Sequence, residues 1–244
     1  FKRNYGVKIN MKILVYQSRI GSGSLTWEHG NFFNVMNNTI IEKCIQSVRN
    51  WCNKHKFQYH FETRDLGWNY TFKSKNDNQL NKLLQNWEHL PKDGYDYVIY
   101  LDNDVFILDN NSIPPIVDFG LVPRYGDQLL FAQHYLGKST LWFNTGVIVM
   151  SKQRCKHLSE WMLQKIKSGN WGELFAHLPR EESLTTEYCS INEPSILDYC
   201  WNTMPPQTPK PLYKKAKILH LLGTDKNRIL KMCTNNIQYK ILNY

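Results

Sequence analysis

The chain has 244 residues, 42% of them hydrophobic and 21% charged, which is enough apolar side chain to bury a core and excludes bulk disorder. Lys and Arg number 30 against 21 Asp and Glu, a net charge of +9 that points to an anionic partner such as nucleic acid, a membrane surface or a phosphorylated small molecule. No segment approaches the roughly 18 apolar residues that would span a bilayer, and no charged start followed by an apolar run reads as a secretory leader.

In chain order, residues 1–10 precede the first methionine, Met11, and read as an N-terminal extension ahead of one domain over 11–244. An anchor upstream of Phe1 stays an open possibility. Residues 12–18 read as a buried strand followed by Gly/Ser punctuation. Residues 37–55 carry Ile41, Cys44, Ile45, Val48 and Trp51 at helical spacing, with Asn37 or Asn38 as the expected cap. Residues 57–63 alternate like a strand, 77–90 form a helical pattern stopped by Pro91, and 96–101 are an apolar strand ending in Asp-Asn-Asp. Residues 129–134 and 146–150 read as strands, 151–166 as a helix capped by Ser151, 193–201 as helical and 216–222 as the last strand. This alternation predicts an α/β fold with a mixed, mainly parallel sheet flanked by helices, which binds ligands beyond the carboxyl ends of its strands.

The six cysteines form no CxxC pair and no zinc spacing. Cys44 and Cys52 lie eight residues apart on one helix, about 12 Å at its rise per residue, too far for a disulfide. All six are expected to be reduced, which favours a cytoplasmic setting. The N-x-S/T sequons at Asn37, Asn69 and Asn110 are no more than an Asn-rich composition produces by chance.

The sharpest local signal is the strand that ends in Asp102-Asn103-Asp104. In extended chain, residues i and i+2 point the same way, so two carboxylates converge on one hard cation, Mn²⁺ or Mg²⁺. An isolated D-x-D is most often only a strand-end turn. Two further signals change its weight. Asn144-Thr145-Gly146 leads into a buried strand, and His220-Leu221-Leu222-Gly223-Thr224-Asp225-Lys226 follows the last one. A strand-end His is a candidate third metal ligand. A Gly beside it admits close backbone approach to a phosphate, and a Lys three residues on can pair with it.

A strand ending in D-x-D, then F-N-x-G-V-x-V, then H-x-x-G-x-x-K resembles the GT-A nucleotide-sugar glycosyltransferases. The resemblance is nearest to the retaining glycogenin and lipopolysaccharide galactosyltransferase type and to small viral GT-A enzymes. It covers about residues 11–230. Two departures stand out: the family's K-P-W is Lys226-Asn227-Arg228 here, and its N-A-G is Asn144-Thr145-Gly146. The resemblance implies a Rossmann-like GT-A domain and metal-dependent transfer of a sugar from a nucleotide-diphosphate sugar, with UDP favoured. The acceptor is a hydroxyl of a glycan or protein, and configuration is retained. By the same resemblance Asp102, Asp104 and His220 hold Mn²⁺ or Mg²⁺. Asn103, Gly223, Lys226 and, from the preceding helix, Lys82 bind the donor. Asn144 touches donor sugar or acceptor, and the loop from Gln17 to Gly23 meets the nucleotide. Asn192 and Glu193 stand where the family has a D-Q-x-x-L helix start, near the reacting sugar, with Glu181, Glu182 and Asp198 as competitors.

Three other readings compete. A basic nucleic-acid binder would concentrate its charge in a patch, and the densest run here is the short Lys210–Lys217 segment. Salt-sensitive binding to DNA would support it. A non-catalytic nucleotide-sugar binder is disfavoured by the intact Asp102, Asp104 and His220. A nucleotidyltransferase lacks its glycine-rich G-x-G-T-R start.

Overall fold

The computed structural model describes residues 11–20, 31–74, 77–124, 127–205, 207–223 and 225–244. The expected extension 1–10, the Gly21–Gly23 part of the nucleotide loop and Thr224 lie outside them.

Eight strands and eight α-helices are described: β1 Ile13–Ser18, α1 Asn31–His55, β2 Gln58–Glu62, α2 Asp77–His89, β3 Tyr97–Leu101, β4 Val105–Ile107, β5 Phe119–Arg124 and α3 Asp127–Leu136. Then follow β6 Trp142–Ser151, α4 Lys152–Ser168, α5 Glu173–His177, α6 Glu181–Ile191, β7 Ser195–Ile196, β8 Ile218–His220, α7 Lys226–Met232 and α8 Asn235–Leu242. Two 3₁₀ turns, Tyr199–Trp201 and Lys210–Lys215, lie between β7 and β8.

The main sheet runs β2-β1-β3-β6-β5-β7, and only β6 opposes the direction of the others. The mixed, mainly parallel sheet expected from the alternation is therefore present. Its strands alternate between two buried faces. Ile13, Val15, Ile99, Leu101, Val147 and Val149 meet Val48, Trp51 and Cys52 of α1 on one side. Leu14, Tyr16, Val98, Tyr100, Ile148 and Met150 meet Leu84 and Trp87 of α2, Leu158 and Met162 of α4 and Leu184 of α6 on the other. Burial on both faces explains why β1, β3 and β6 read as continuous apolar runs. Ser151 caps α4 as expected: its side chain accepts a hydrogen bond from the Arg154 amide.

Several expectations are corrected. Helix α1 begins at Asn31, so Asn38 stands inside it, its amide oxygen accepting from Arg19; a polar Asn-Asn-Thr run imitates a helix start there. Residues 129–134 are helical, not a strand, because Ala132 packs with Trp142 and Leu174; a short apolar run does not fix its own period. Residues 193–201 are not one helix. Ser195 and Ile196 instead pair with Gly120 and Leu121 of β5, and a 3₁₀ turn follows, capped by Asp198, whose carboxylate accepts from the Cys200 amide. All six cysteines are free thiols, five of them buried. Among the described residues no helix is long and apolar enough to cross a membrane.

Candidate metal centre

The site forms where β3 ends. A small ladder places it: β4 pairs antiparallel with β8, setting Val105 opposite His220. The Leu221 amide donates to the Asp104 carbonyl at 3.0 Å, and the Asp102 amide to the Gly146 carbonyl at 3.0 Å. Three distant segments thus meet at one point. Asp102 and Asp104 do not converge through extended chain. A turn closes between them, with the Val105 amide 3.3 Å from the Asp102 carbonyl.

His220 Nε2 lies 3.4 Å from Asp102 Oδ2 and 3.1 Å from Asp104 Oδ1. One ligand atom from each of the three residues lies within 4.8 Å of the other two. The imidazole side chain is 2% exposed, while those of Asp102 and Asp104 keep 25% and 15%, so the cluster opens to solvent through its carboxylates. Burial pushes the Asp102 carboxyl up to about 6, against the pull of His220. Burial also acts on Asp104, but the charges of Lys226 and His220 outweigh it and hold that carboxyl below its usual range. Crowded carboxylates with a third, nitrogen donor suit a divalent cation with preference for oxygen and imidazole ligands.

The imidazole is set from behind. Its Nδ1 lies 3.1 Å from Asn144 Oδ1 and 3.2 Å from Asn202 Oδ1. Both are acceptors for a hydrogen on Nδ1, while Nε2 faces the two carboxylates and is the ring nitrogen a cation between them would take. Asn144 Oδ1 is oriented by the Gly146 amide at 3.0 Å and by Asn202 Nδ2 at 2.7 Å. Glycine is required at 146, because a Cβ there would overlap Cε1 and Nδ1 of His220.

The remaining expected site residues fall in different places. Asn103 Nδ2 reaches the Ser18 carbonyl at 3.3 Å and ties the turn to the end of β1. Lys226 opens α7 beside the cluster, its ammonium bound to Asp104 and to the Leu221 carbonyl. Gly223 adopts φ +94°, a left-handed conformation that other residues rarely take. Lys82 sits one turn before Asn86, whose side chain meets Ser18. Asp65 is held below its usual range chiefly by the Gly67 amide and by Gln85, with the charge of Lys82 adding to them.

Asn192 and Glu193 are not at the site, which corrects the expectation for both. Asn192 Oδ1 accepts from Arg154, which binds Asp118; Asp118 in turn accepts from Ser151. Ser151 pairs with Tyr97, at the opposite end of β3 from Asp102, about 16 Å away at roughly 3.3 Å per residue. Glu193 follows at this far end, exposed, next to the β5–β7 pairing. Their competitors from the start of α6 are the ones near the cluster. Glu182 bonds Asn144, Trp142 and Arg124. Glu181 is buried close to Asp102 and Glu182, and burial, reinforced by both charges, pushes its carboxyl well above the usual range. Asn202, fully buried, carried no signal in the sequence: an Asn after an aromatic segment is unremarkable until β8 is placed beside it.

No protein-family model matches the chain, and no curated protein sequence matches it. Solved structures do. One is a glycosyltransferase involved in the glycosylation of the major capsid of PBCV-1, with a TM-score of 0.56 and 13% identity, covering 96% of this chain and 100% of that one. Another is the galactosyltransferase LgtC in complex with donor and acceptor sugar analogs, with a TM-score of 0.53 and 12% identity, covering 94% of this chain and 95% of that one. The fold is that of the GT-A glycosyltransferases.

Proposed function

We propose that the protein is a metal-dependent glycosyltransferase built as one domain over residues 11–244. It moves a sugar from a nucleotide-diphosphate sugar, UDP-linked in preference, onto a hydroxyl of a glycan or glycoprotein, with retention of configuration. The observation that carries this reading is the Asp102–Asp104–His220 cluster at the carboxyl end of β3, in a fold shared with glycosyltransferases. Free, buried thiols support a cytoplasmic setting.

Asp102, Asp104 and His220 would hold Mn²⁺ or Mg²⁺, which when bound supplies positive charge to a diphosphate leaving group. Lys226, already at the rim of the cluster, adds a second positive charge there. Gly223 lets the backbone come close to the diphosphate. Asn103, on the β3–β4 turn, and Lys82, on α2, would bind the donor, a role the family resemblance implies. In the transfer, the bond from the anomeric carbon to the diphosphate oxygen breaks and one to the acceptor oxygen forms. The hydroxyl proton passes to the departing diphosphate. Near this point burial pushes the Glu181 carboxyl well above its usual range, and Glu182 is bound to Arg124, Trp142 and Asn144. In retention, acceptor and leaving group share one face of the sugar, so the diphosphate oxygen is within reach of that proton.

A nucleic-acid-binding role is not favoured, because the fold's likeness is to sugar transferases and the cluster offers a local reason to bind one diphosphate. The test is a thermal-shift screen of nucleoside diphosphates and nucleotide-sugars, with Mn²⁺ and with EDTA. A nucleotide-sugar that raises the melting temperature only with metal is expected. Stabilisation by plain DNA alone would overturn the reading.

A further inference from the structure

We propose that the face formed by α8, the Lys210–Lys215 turn and the end of α1 is a docking surface for a lipid bilayer rich in anionic headgroups. Docking of this kind is separate from the transfer reaction proposed above. Residues 210–244 carry eight Lys and Arg against Asp225 alone, so most of the +9 surplus sits in this final segment. One of the eight, Lys226, belongs to the candidate metal centre. The others call for a different partner.

The fold gathers these charges around one loop. The Lys217 carbonyl accepts from the Leu108 and Asp109 amides at 2.8 and 3.1 Å, which lays the start of β8 along residues 108–109. Lys54, near the end of α1, donates to Asn111 Oδ1 at 2.6 Å. Asp109 is held below its usual range first by Ser112 and the Asn111 amide, and the charges of Lys217 and of Lys240, on α8, add to them. Asp198 is held down chiefly by the Cys200 amide, with Lys215 and Lys217 adding their charges. Lys54, Lys215, Lys217 and Lys240 thus surround two aspartates that already have partners. Lys54, Lys215 and Lys240 are exposed, as is Lys214 beside them. Lys217 lies three residues before His220, about 10 Å at roughly 3.3 Å per residue, so this face is distinct from the metal cluster.

Apolar side chains stand exposed among these lysines. Tyr239 is 69% exposed, Tyr244 48%, Leu242 45% and Ile113, directly after the loop, 37%. Helix α8 buries Ile237 and Ile241 in the core it shares with α1, β4 and α7 and turns Tyr239 and Leu242 outward. Lysines with Tyr, Leu and Ile on one face suit a membrane interface: ammonium groups meet lipid phosphates, and the apolar groups enter the boundary between headgroups and acyl chains. A nucleic acid offers phosphates to the lysines but no apolar layer to receive an aliphatic side chain. Attachment of this kind needs no spanning helix.

The experiment measures co-sedimentation with vesicles of phosphatidylcholine alone and of phosphatidylcholine with phosphatidylserine, at low and at high salt. Binding to the anionic vesicles alone, weakened by salt, is expected. Reversing three exposed lysines together, Lys214→Glu, Lys215→Glu and Lys240→Glu, is expected to lower partitioning at least about 100-fold, at roughly five-fold for each lysine lost. The same change in net charge across the sheet, Lys138→Glu after α3 with Lys156→Glu and Lys167→Glu on α4, is expected to cost less than about tenfold, because salt screens distant charges. Tyr239→Ser with Leu242→Ser is expected to lower partitioning about tenfold with every charge intact. Circular dichroism melts check the fold of each variant, and the serine pair tests the same face should the lysine reversal unfold. Equal binding to both kinds of vesicle, an equal loss in the α4-side control, or unchanged partitioning in the serine pair overturns the proposal. Failure to bind anionic vesicles also overturns it, and DNA binding in that case makes a nucleic acid the occupant. None of these results depends on Mn²⁺ or on a nucleotide-sugar.

Discussion

The ring of His220 lies against the backbone of Gly146 so closely that a Cβ on residue 146 would overlap two of its atoms. The amide of the same glycine fixes Asn144 Oδ1 at 3.0 Å, and its carbonyl accepts the Asp102 amide at 3.0 Å. One residue without a side chain therefore touches two of the three ligand-bearing residues, His220 and Asp102, and the Asn144 amide behind His220. Gly146→Ala is expected to displace His220 and to lower stability by about 1–3 kcal/mol through overpacking. Urea denaturation reads the second effect, and Mn²⁺ titration the first. A variant that keeps wild-type Mn²⁺ affinity would show that the ring has room to move.

Asp102→Ala and Asp104→Ala are each expected to abolish metal-dependent hydrolysis and transfer of nucleotide-sugars, since each removes one of the three ligands that the described residues bring within 4.8 Å of one another. The coupled assay is release of nucleoside diphosphate with and without Mn²⁺. Full activity in EDTA would refute metal dependence.

Lys226→Ala is expected to weaken nucleoside diphosphate binding about 10- to 100-fold, the worth of a lost charge-assisted hydrogen bond of roughly 1.5–3 kcal/mol. Isothermal titration with Mn²⁺ held in excess separates this from loss of metal. Because Lys226 is also bound to Asp104 and the Leu221 carbonyl, Lys226→Arg keeps the charge while changing its reach and is expected to fall between the two. Equal affinities in all three proteins would remove Lys226 from the donor site.

Acid stability should report Glu62, far from the cluster in sequence. Its carboxylate is bound by the Arg64 side chain and by the amides of Thr63 and Arg64, and the Arg64 contact above all holds it below the usual glutamate range. A folded value below the unfolded one stabilises the fold above the unfolded pKa of about 4.3 and loses that contribution as pH falls through the folded value. Glu62→Gln is expected to be less stable than wild type at pH 7 and to converge with it in acid. A constant difference across the pH range, measured by thermal melts, would contradict this.

The apolar periodicities of β1, β3, β6, α2 and α4 were legible because each is long enough, or buried evenly enough, for its pattern to exceed local noise. Short segments were not. Residues 129–134 became a helix because Ala132 had to meet Trp142 and Leu174. Residues 195–196 became a strand because β5 offered a free edge. The start of α1 was misplaced because polar residues inside a helix can look like a cap.

For the site, the residue types and their order were readable along the chain: two aspartates at a strand end, an Asn-x-Gly turn, then a His and a Lys after the last strand. A hydrophobic strand and the chemistry at its tip are local properties, and local sequence carries them. Which carboxylates of the 180–200 region lie at that tip was decided only in three dimensions. Helix α6 runs from the carboxyl end of the sheet, where Glu182 meets Asn144, to the opposite end, where Asn192 meets Arg154. Ten residues of helix separate a group beside the cluster from one remote from it, and no spacing rule says which end faces the site. Packing against β6 decides it, as does the β4–β8 ladder that carries His220 to Asp102 and Asp104 across more than a hundred residues of chain.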